Sequence, residues 1–287
     1  MEELFILHET TNNEIQERVK MLVTSANKVG INCKVIDSSK TDYSDTAVLQ
    51  KGSFLYNISR GSKNLELLML NDNVTTFYRT RPEMVRLNTI EQAIAFRKNG
   101  IVAPPAIFHS TNEKSLLLSY VSKLGGFPII IKISGGTKGV GTMITRDIAT
   151  LQSIADYLVS IKANFMLIKY IEPKEVARLI VIGNRVIASN RKLIPEGDFR
   201  TSVKNELPEP QIYPAHIQDL AVRTAEVANS ENCGIDILID KENTPYVLEA
   251  NMPHDFVTTV KATGIDVTGI MVDFLCQSIY QFRSFQN

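Results

Sequence analysis

The 287 residues contain no tryptophan, few aromatics (7%) and three cysteines. Cys33, Cys233 and Cys276 are odd in number, widely separated and outside any CxxC arrangement. That excludes a disulfide framework or a thiolate metal site and suits a reducing compartment. Net charge is missing too: 31 basic residues balance 31 acidic ones. No overall field steers such a chain onto nucleic acid or anionic lipid, so neither is expected as a partner. The acidic start carries too short an apolar run for a secretion signal. Nowhere do about 18 consecutive apolar residues occur. The chain is therefore expected to be cytoplasmic, where the Asn57 and Asn73 sequons carry no meaning. His8, His109, His216 and His254 form no HxxxH spacing, and no GxSxG elbow or GK[ST] phosphate loop is found.

What is present suffices for a substantial core, with 44% apolar residues. Residues 3–7 and 33–37 read as strands around an amphipathic helix over 13–29 that Gly30 stops, a βαβ opening to a small parallel sheet. A further strand is expected at 53–59. A helix over 88–98 precedes an extended segment, 102–108, in which Pro104 and Pro105 forbid helix. Then come a helix (112–124), a buried strand (127–133), a glycine-rich loop, a strand (142–145), a helix (148–161) and a strand (165–171). Two hairpins follow, 175–182 with 185–189 and 234–240 with 244–251, separated by a helix over 215–230 and closed by a helix from about 267. The class is α/β in front and α+β behind.

Four features carry chemistry. The loop 134–141 holds Gly135, Gly136, Gly139 and Gly141, with Thr137 and Lys138 between them. Such a loop lets backbone N–H groups close over phosphate oxygens. Lys132 ends the Ile-Ile-Ile run, where a charge is costly unless it meets a ligand or partner. Glu249 and Asn251 share one face of their strand, and Asp236 reaches the same face across the turn. Three hard oxygen ligands suit magnesium, which keeps waters and bridges to substrate phosphates. Arg178, Arg191 and Arg200 offer forks for carboxylate or phosphoryl oxygens. His254 is the histidine nearest this acidic strand. Each feature also has a bland reading: a plain hairpin loop, a snorkelling lysine, edge carboxylates facing water, a solvated basic face.

Taken in order, the segments 129–141 (IIIKISGGTKGVG), 176–188, 196–202, 234–236, 248–251 and 261–266 resemble the ATP-grasp ligases. Within that superfamily they are similar to the RimK-like group, which joins amino acids to peptide or amino-acid substrates. The likeness runs from about Arg86 to the C-terminus. It implies an ATP-grasp fold with an N-terminal Rossmann-like domain (1–87), a central lid domain (88–168) and a C-terminal domain (169–287). It implies that Lys132 and the loop of Gly135, Gly136, Thr137, Lys138, Gly139 and Gly141 hold ATP phosphates, and that the backbone at Lys169, Tyr170 and Ile171 meets the adenine. Asp236, Glu249 and Asn251 would hold Mg2+, with Mn2+ as an alternative. Arg178, Arg191 and Arg200 would surround an acyl phosphate. The implied activity is ATP-dependent ligation of an amine to a carboxylate, with an amino acid, peptide or protein as substrate and a homodimer or homotetramer as the assembly. A small-molecule kinase and an inactive ATP-binding regulator are the alternatives. Relative to the family pattern, Thr89 stands where lysine is common, Ile168-Lys169-Tyr170 replaces Gln-Glu-aromatic, and Met252-Pro-His-Asp255 replaces Ser-Pro-Gly.

Neutrality also divides unevenly. Residues 1–168 carry 19 basic and 15 acidic groups, 169–204 carry 8 and 4, and 205–287 carry 4 and 12. A basic hairpin thus adjoins an acidic one, which suits a small metal-bound polyanion.

Overall fold

The computed structural model describes residues 2–9, 12–45, 48–80, 88–135, 139–192, 194, 197–200 and 207–284. The chain opens with β1 (Glu3–His8), α1 (Asn13–Lys28), β2 (Asn32–Asp37), β3 (Ser53–Asn57) and α2 (Lys63–Met69). Asn12 starts α1 by accepting the Ile15 N–H at 2.9 Å, and Gly30, at φ +79°, turns the chain out of it. The three strands form a parallel sheet ordered β2-β1-β3.

Next come α3 (Thr89–Lys98), β4 (Ala106–Ile107), α4 (Lys114–Lys123), β5 (Ile129–Ile133), β6 (Thr142–Thr145), α5 (Ile148–Ser160) and β7 (Phe165–Lys169). Their four strands form an antiparallel sheet ordered β4-β7-β5-β6. Of the extended segment 102–108, Ala106 and Ile107 alone pair as a strand. The last part is β8 (Pro173–Ile182), β9 (Arg185–Lys192), β10 (Glu209–Pro210), α6 (Ala215–Val227), β11 (Asn232–Asp240), β12 (Pro245–Asn251), α7 (Val257–Thr263) and α8 (Val267–Ser284). Its antiparallel sheet is ordered β10-β9-β8-β11-β12. Among the described residues, no helix is long and apolar enough to cross a membrane.

The cores tie these sheets together unequally. Ile180 and Ile182 of β8 share a core with Leu4, Ile6 and Phe54 of the parallel sheet and with Val267 and Met271 of α8. Arg79 fastens the same contact, donating to the carbonyls of Ser230 at 3.2 Å and Gly183 at 3.0 Å. The opposite face of β8, through Ala177, Leu179 and Val181, packs on α6 and on Phe96 of α3. Helix α3 falls inside the stretch expected for the central domain, yet its Gln92 exchanges hydrogen bonds of 2.8 and 3.0 Å with the backbone of Ala250 in β12. The four-stranded sheet has a core of its own, including Leu117, Ile129, Ile131, Leu151 and Leu167. It is joined to the rest across a cleft.

Candidate active site

Strand alternation and register create the centre of this cleft. Asn190 of β9, Arg178 of β8, Asp236 of β11 and Glu249 of β12 are directly opposite one another in sequence of strands, so one polar row crosses four strands. Along β8 the same face continues as Ile180 and Ile182, buried against the parallel sheet. The row therefore lies where apolar contact gives way to an open cleft, whose volume is about 310 Å³.

Arg178 is 7% exposed, and its Nη1 donates to Asp236 Oδ2 at 2.8 Å. Burial opposes its charge, but Asp236 first, then Glu249 and Asp255, hold its pKa above the ordinary guanidinium value. Asn251 Nδ2 donates to Asp236 Oδ2 at 3.2 Å and to Glu249 Oε1 at 3.1 Å, tying the two carboxylates together. From the four-stranded sheet, Lys132 Nζ reaches across to 3.6 Å from Glu249 Oε2. Asp236 Oδ1 is buried with no hydrogen-bond partner. Among the described residues no three His, Cys, Asp or Glu side chains gather as a metal group. Two carboxylates, one of them with an orphaned oxygen, and an amide nevertheless fit magnesium, which retains waters and takes one or two protein carboxylates.

The glycine-rich segment lies in the chain between the paired strands β5 and β6. Gly135, Gly139 and Gly141 have φ of +85°, +81° and +81°, and a β-carbon on Gly141 would collide with Ile133. Gly139 lines the cleft and Gly135 is outside its lining. A β-carbon on Gly139 would lie 3.5 Å from Arg200 Cδ, so the loop's end sits over that arginine. Gly136, Thr137 and Lys138 fall outside the described residues. Arg200 lines the cleft, with Nη2 2.9 Å from Asp198 Oδ2; this contact pulls the Asp198 pKa down to about 2. Lys169, Tyr170 and Ile171 line the cleft as well. β7 ends at Lys169, short of the expected 171, and the Lys169 N–H donates to the Pro105 carbonyl at 2.9 Å.

Arg191 is a correction. It was expected beside the other arginines, but strand alternation turns it to the face opposite Asn190 and Lys192, both of which line the cleft. Its Nε donates to Glu209 Oε2 at 2.7 Å, and Nη1 lies 3.9 Å from Glu175. Lys192 and Asn190 are the residues that sequence reasoning missed. Ending the strand at 189 hid them; carrying the alternation on from the Arg178 pairing would have found them. Thr89 lines the cleft at the first turn of α3, and His254 lines it from a buried position.

A family model described as a RimK-like ATP-grasp domain matches residues 91–275. A probable alpha-L-glutamate ligase from Vibrio parahaemolyticus serotype O3:K6 is 33% identical over 159 residues, covering 54% of this chain and 52% of that one. A counterpart of the same description from Maridesulfovibrio salexigens is 32% identical over 183 residues, 62% of this chain and 59% of its own. The chain thus spans a little over half the length of these relatives. Among solved structures, the ATP-grasp ligase PsnB, complexed with a phosphomimetic variant of its minimal precursor, Mg and ADP, superposes with a TM-score of 0.73 at 17% identity. That match covers 96% of this chain and 98% of PsnB.

Proposed function

The chain belongs to the RimK-like ATP-grasp family, and from that premise we propose that it is an ATP-dependent carboxylate–amine ligase. A substrate carboxylate oxygen attacks the γ-phosphorus of ATP, the bond to the bridging oxygen breaks, and ADP leaves an acyl phosphate behind. An amine nitrogen then attacks the acyl carbon, inorganic phosphate departs with the C–O electron pair, and the nitrogen loses a proton to give the amide. This chemistry asks mainly for positioning and charge neutralisation.

The observation that carries the reading is the row Asn190–Arg178–Asp236–Glu249 facing Lys132 across one cleft. Lys132 and the glycine-rich segment align the phosphates, and the backbone around Lys169, Tyr170 and Ile171 takes the adenine. Because the Lys169 N–H is already donated to Pro105, the base is left its carbonyl and the backbone that follows. Asp236, Glu249 and Asn251 hold the magnesium, which when bound supplies neutralising charge to the phosphates. Arg178 and Arg200, with Lys192, stabilise the transferred phosphoryl group and the tetrahedral oxyanion. The relatives described as glutamate ligases, and PsnB with its precursor, support an amino acid joined to an amino-acid, peptide or protein partner. Manganese in place of magnesium, a cytoplasmic setting, a homodimer or homotetramer, and a division at 87/88 and 168/169 belong to the same proposal.

The test is a phosphate-release screen of pooled amino acids and peptides with MgATP, followed by mass spectrometry. ADP and phosphate released together with a new amide are expected. ADP accompanied by a stable phosphorylated product would instead make the protein a kinase.

A further inference from the structure

Strand β12 carries Glu249 and Asn251 and ends its sheet, so that among the described residues β11 is its one strand partner. It also contains a β-bulge. Counted from the turn, Val247 stands opposite Ile237, which would set Leu248 opposite Asp236; the register shifts there and Glu249 takes that place. Leu248 and Glu249 accordingly both line the cleft, although neighbours on a regular strand face opposite ways. A bulge bends its strand and leaves the extra residue out of the ladder. The stretch that presents the metal-holding side chains thus begins at an irregular point on a sheet edge, and β11 holds it from one side only.

Gln92 of α3 holds it from the other side. This side chain is 5% exposed, its Oε1 accepts the Ala250 N–H at 3.0 Å, and its Nε2 donates to the Ala250 carbonyl at 2.8 Å. An adjoining antiparallel strand makes the same pair of bonds with one residue. Ala250 stands between Glu249 and Asn251, and its own side chain is buried in the core that packs on α6. Two bonds to its peptide groups therefore set the backbone from which both cleft-facing side chains leave. On the turn side of the bulge, the Val247 N–H donates to the Val102 carbonyl at 2.8 Å. Both anchors belong to one stretch of chain, α3 and the segment after it, which continues into β4 of the four-stranded sheet.

We infer that Gln92 is a positioning residue for the magnesium site. It lies outside the cleft lining and acts through the Ala250 backbone, keeping Glu249 and Asn251 where the metal needs them. The inference rests on the magnesium reading above and adds to it the group that orients the ligand strand. Magnesium demands near-ideal octahedral geometry, so a small displacement of the strand costs affinity. The displacement would spread, because Asn251 Nδ2 donates to both Asp236 and Glu249 and the three side chains move as one unit. The task selects glutamine by its chemistry. An ionised glutamate accepts and cannot donate, methionine fills the space and bonds neither group, and asparagine has the right groups one methylene short.

The experiment is calorimetric titration of the full chain with MgADP and, in the presence of a chelator, with ADP alone. Gln92→Met and Gln92→Asn should each weaken MgADP binding about 10- to 100-fold, the range for losing a group that orients metal ligands. Both should leave metal-free ADP within about twofold of wild type. Ala95→Gly loosens the same helix away from the cleft lining, and it should leave both affinities within about twofold. Unchanged MgADP binding in the Gln92 variants, an equal loss for metal-free ADP, or an equal loss in Ala95→Gly would each overturn the inference. Hydrogen exchange on the wild type needs no variant and decides even if both Gln92 variants fail to fold. The Ala250 amide should be protected like the amides of β11, despite facing away from that strand; rapid exchange there would overturn the inference as well. A wild-type protein that binds MgADP no more tightly than metal-free ADP would sink the magnesium reading instead, which keeps the two failures apart.

Discussion

Arg178 lies flat over Gly234: a β-carbon on Gly234 would stand 2.7 Å from the guanidinium carbon and 2.8 Å from Nη2. The guanidinium has nowhere cheap to go, because it is buried and held by Asp236 at 2.8 Å. Gly234 is thus required by the side chain above it rather than by its backbone angle. Gly234→Ala is expected to push Arg178 out of the row, lower kcat at least tenfold and destabilise the protein by about 1–3 kcal/mol, the usual cost of overpacking. Steady-state kinetics with urea unfolding checks both numbers. An active, fully stable variant would mean that Arg178 has room the geometry denies it.

The two carboxylates of the row should respond differently to neutralisation. Asp236→Asn takes from buried Arg178 its hydrogen-bonded counter-charge and leaves the more distant Glu249 and Asp255, a loss on the order of 3–5 kcal/mol when one partner of a buried pair is removed. Glu249 faces a partly exposed Lys132 at 3.6 Å, and Glu249→Gln is expected to cost about 1 kcal/mol or less. Both variants should weaken MgADP binding at least tenfold while leaving metal-free ADP binding unchanged or improved. Titrations with magnesium and with a chelator separate metal holding from phosphate contact. Equal losses in both would remove these residues from the metal site.

His254 gives the protein a pH dependence with a definite sign. Its pKa is lowered from 6.5 to about 3, by burial first and by Arg178 and Arg18 next. The unfolded chain takes up a proton near pH 6.5 that the folded chain refuses. The stability His254 supports is therefore complete above 6.5 and is lost as the pH falls toward 3, by up to about 1.4 kcal/mol per pH unit. His254→Gln keeps an N–H for Asn232 Oδ1 without titrating, so its unfolding free energy should decline less steeply between pH 6.5 and 4. Parallel curves for wild type and variant would show that the imidazole is free to charge in the folded state.

Much of this layout was legible because it is local. The βαβ opening follows from apolar period and a glycine stop, whereas the turn near Asn243 sets a register that would pair Asp236 with Leu248, and a β-bulge beside Asp236 brings Glu249 opposite it instead. Short helices escaped: α2 and α7 have seven residues each, too few for a helical period to register. The contact between Arg18 and Asp255 escaped for another reason. It depends on the packing of α1 against the C-terminal region, where buried Ser25 and Thr268 meet at 2.8 Å, and no spacing along the chain encodes that approach. The split core around α3 was hidden likewise, since Gln92 and Ala250 find one another across 158 positions.

The sharpest test of the strand geometry compares two adjacent basic residues. Charge and proximity in sequence make Arg191 and Lys192 equivalent; alternation makes them opposites. Arg191 is engaged with Glu209 at 2.7 Å, and at 37% and 58% side-chain exposure that pair is screened by solvent and contributes little. Lys192, on the same face as Asn190, lines the cleft two positions away from the row. Arg191→Ala is therefore expected to keep kcat/KM within about threefold of wild type, whereas Lys192→Ala should lower it about tenfold or more, the worth of one charge-assisted contact to an anionic substrate. Measured side by side on the same amide-forming assay, the reverse ranking would place Arg191 at the reacting groups and require β9 to turn over beyond Ser189, against the register in which Arg191 stands opposite Ala177 and Asn190 opposite Arg178.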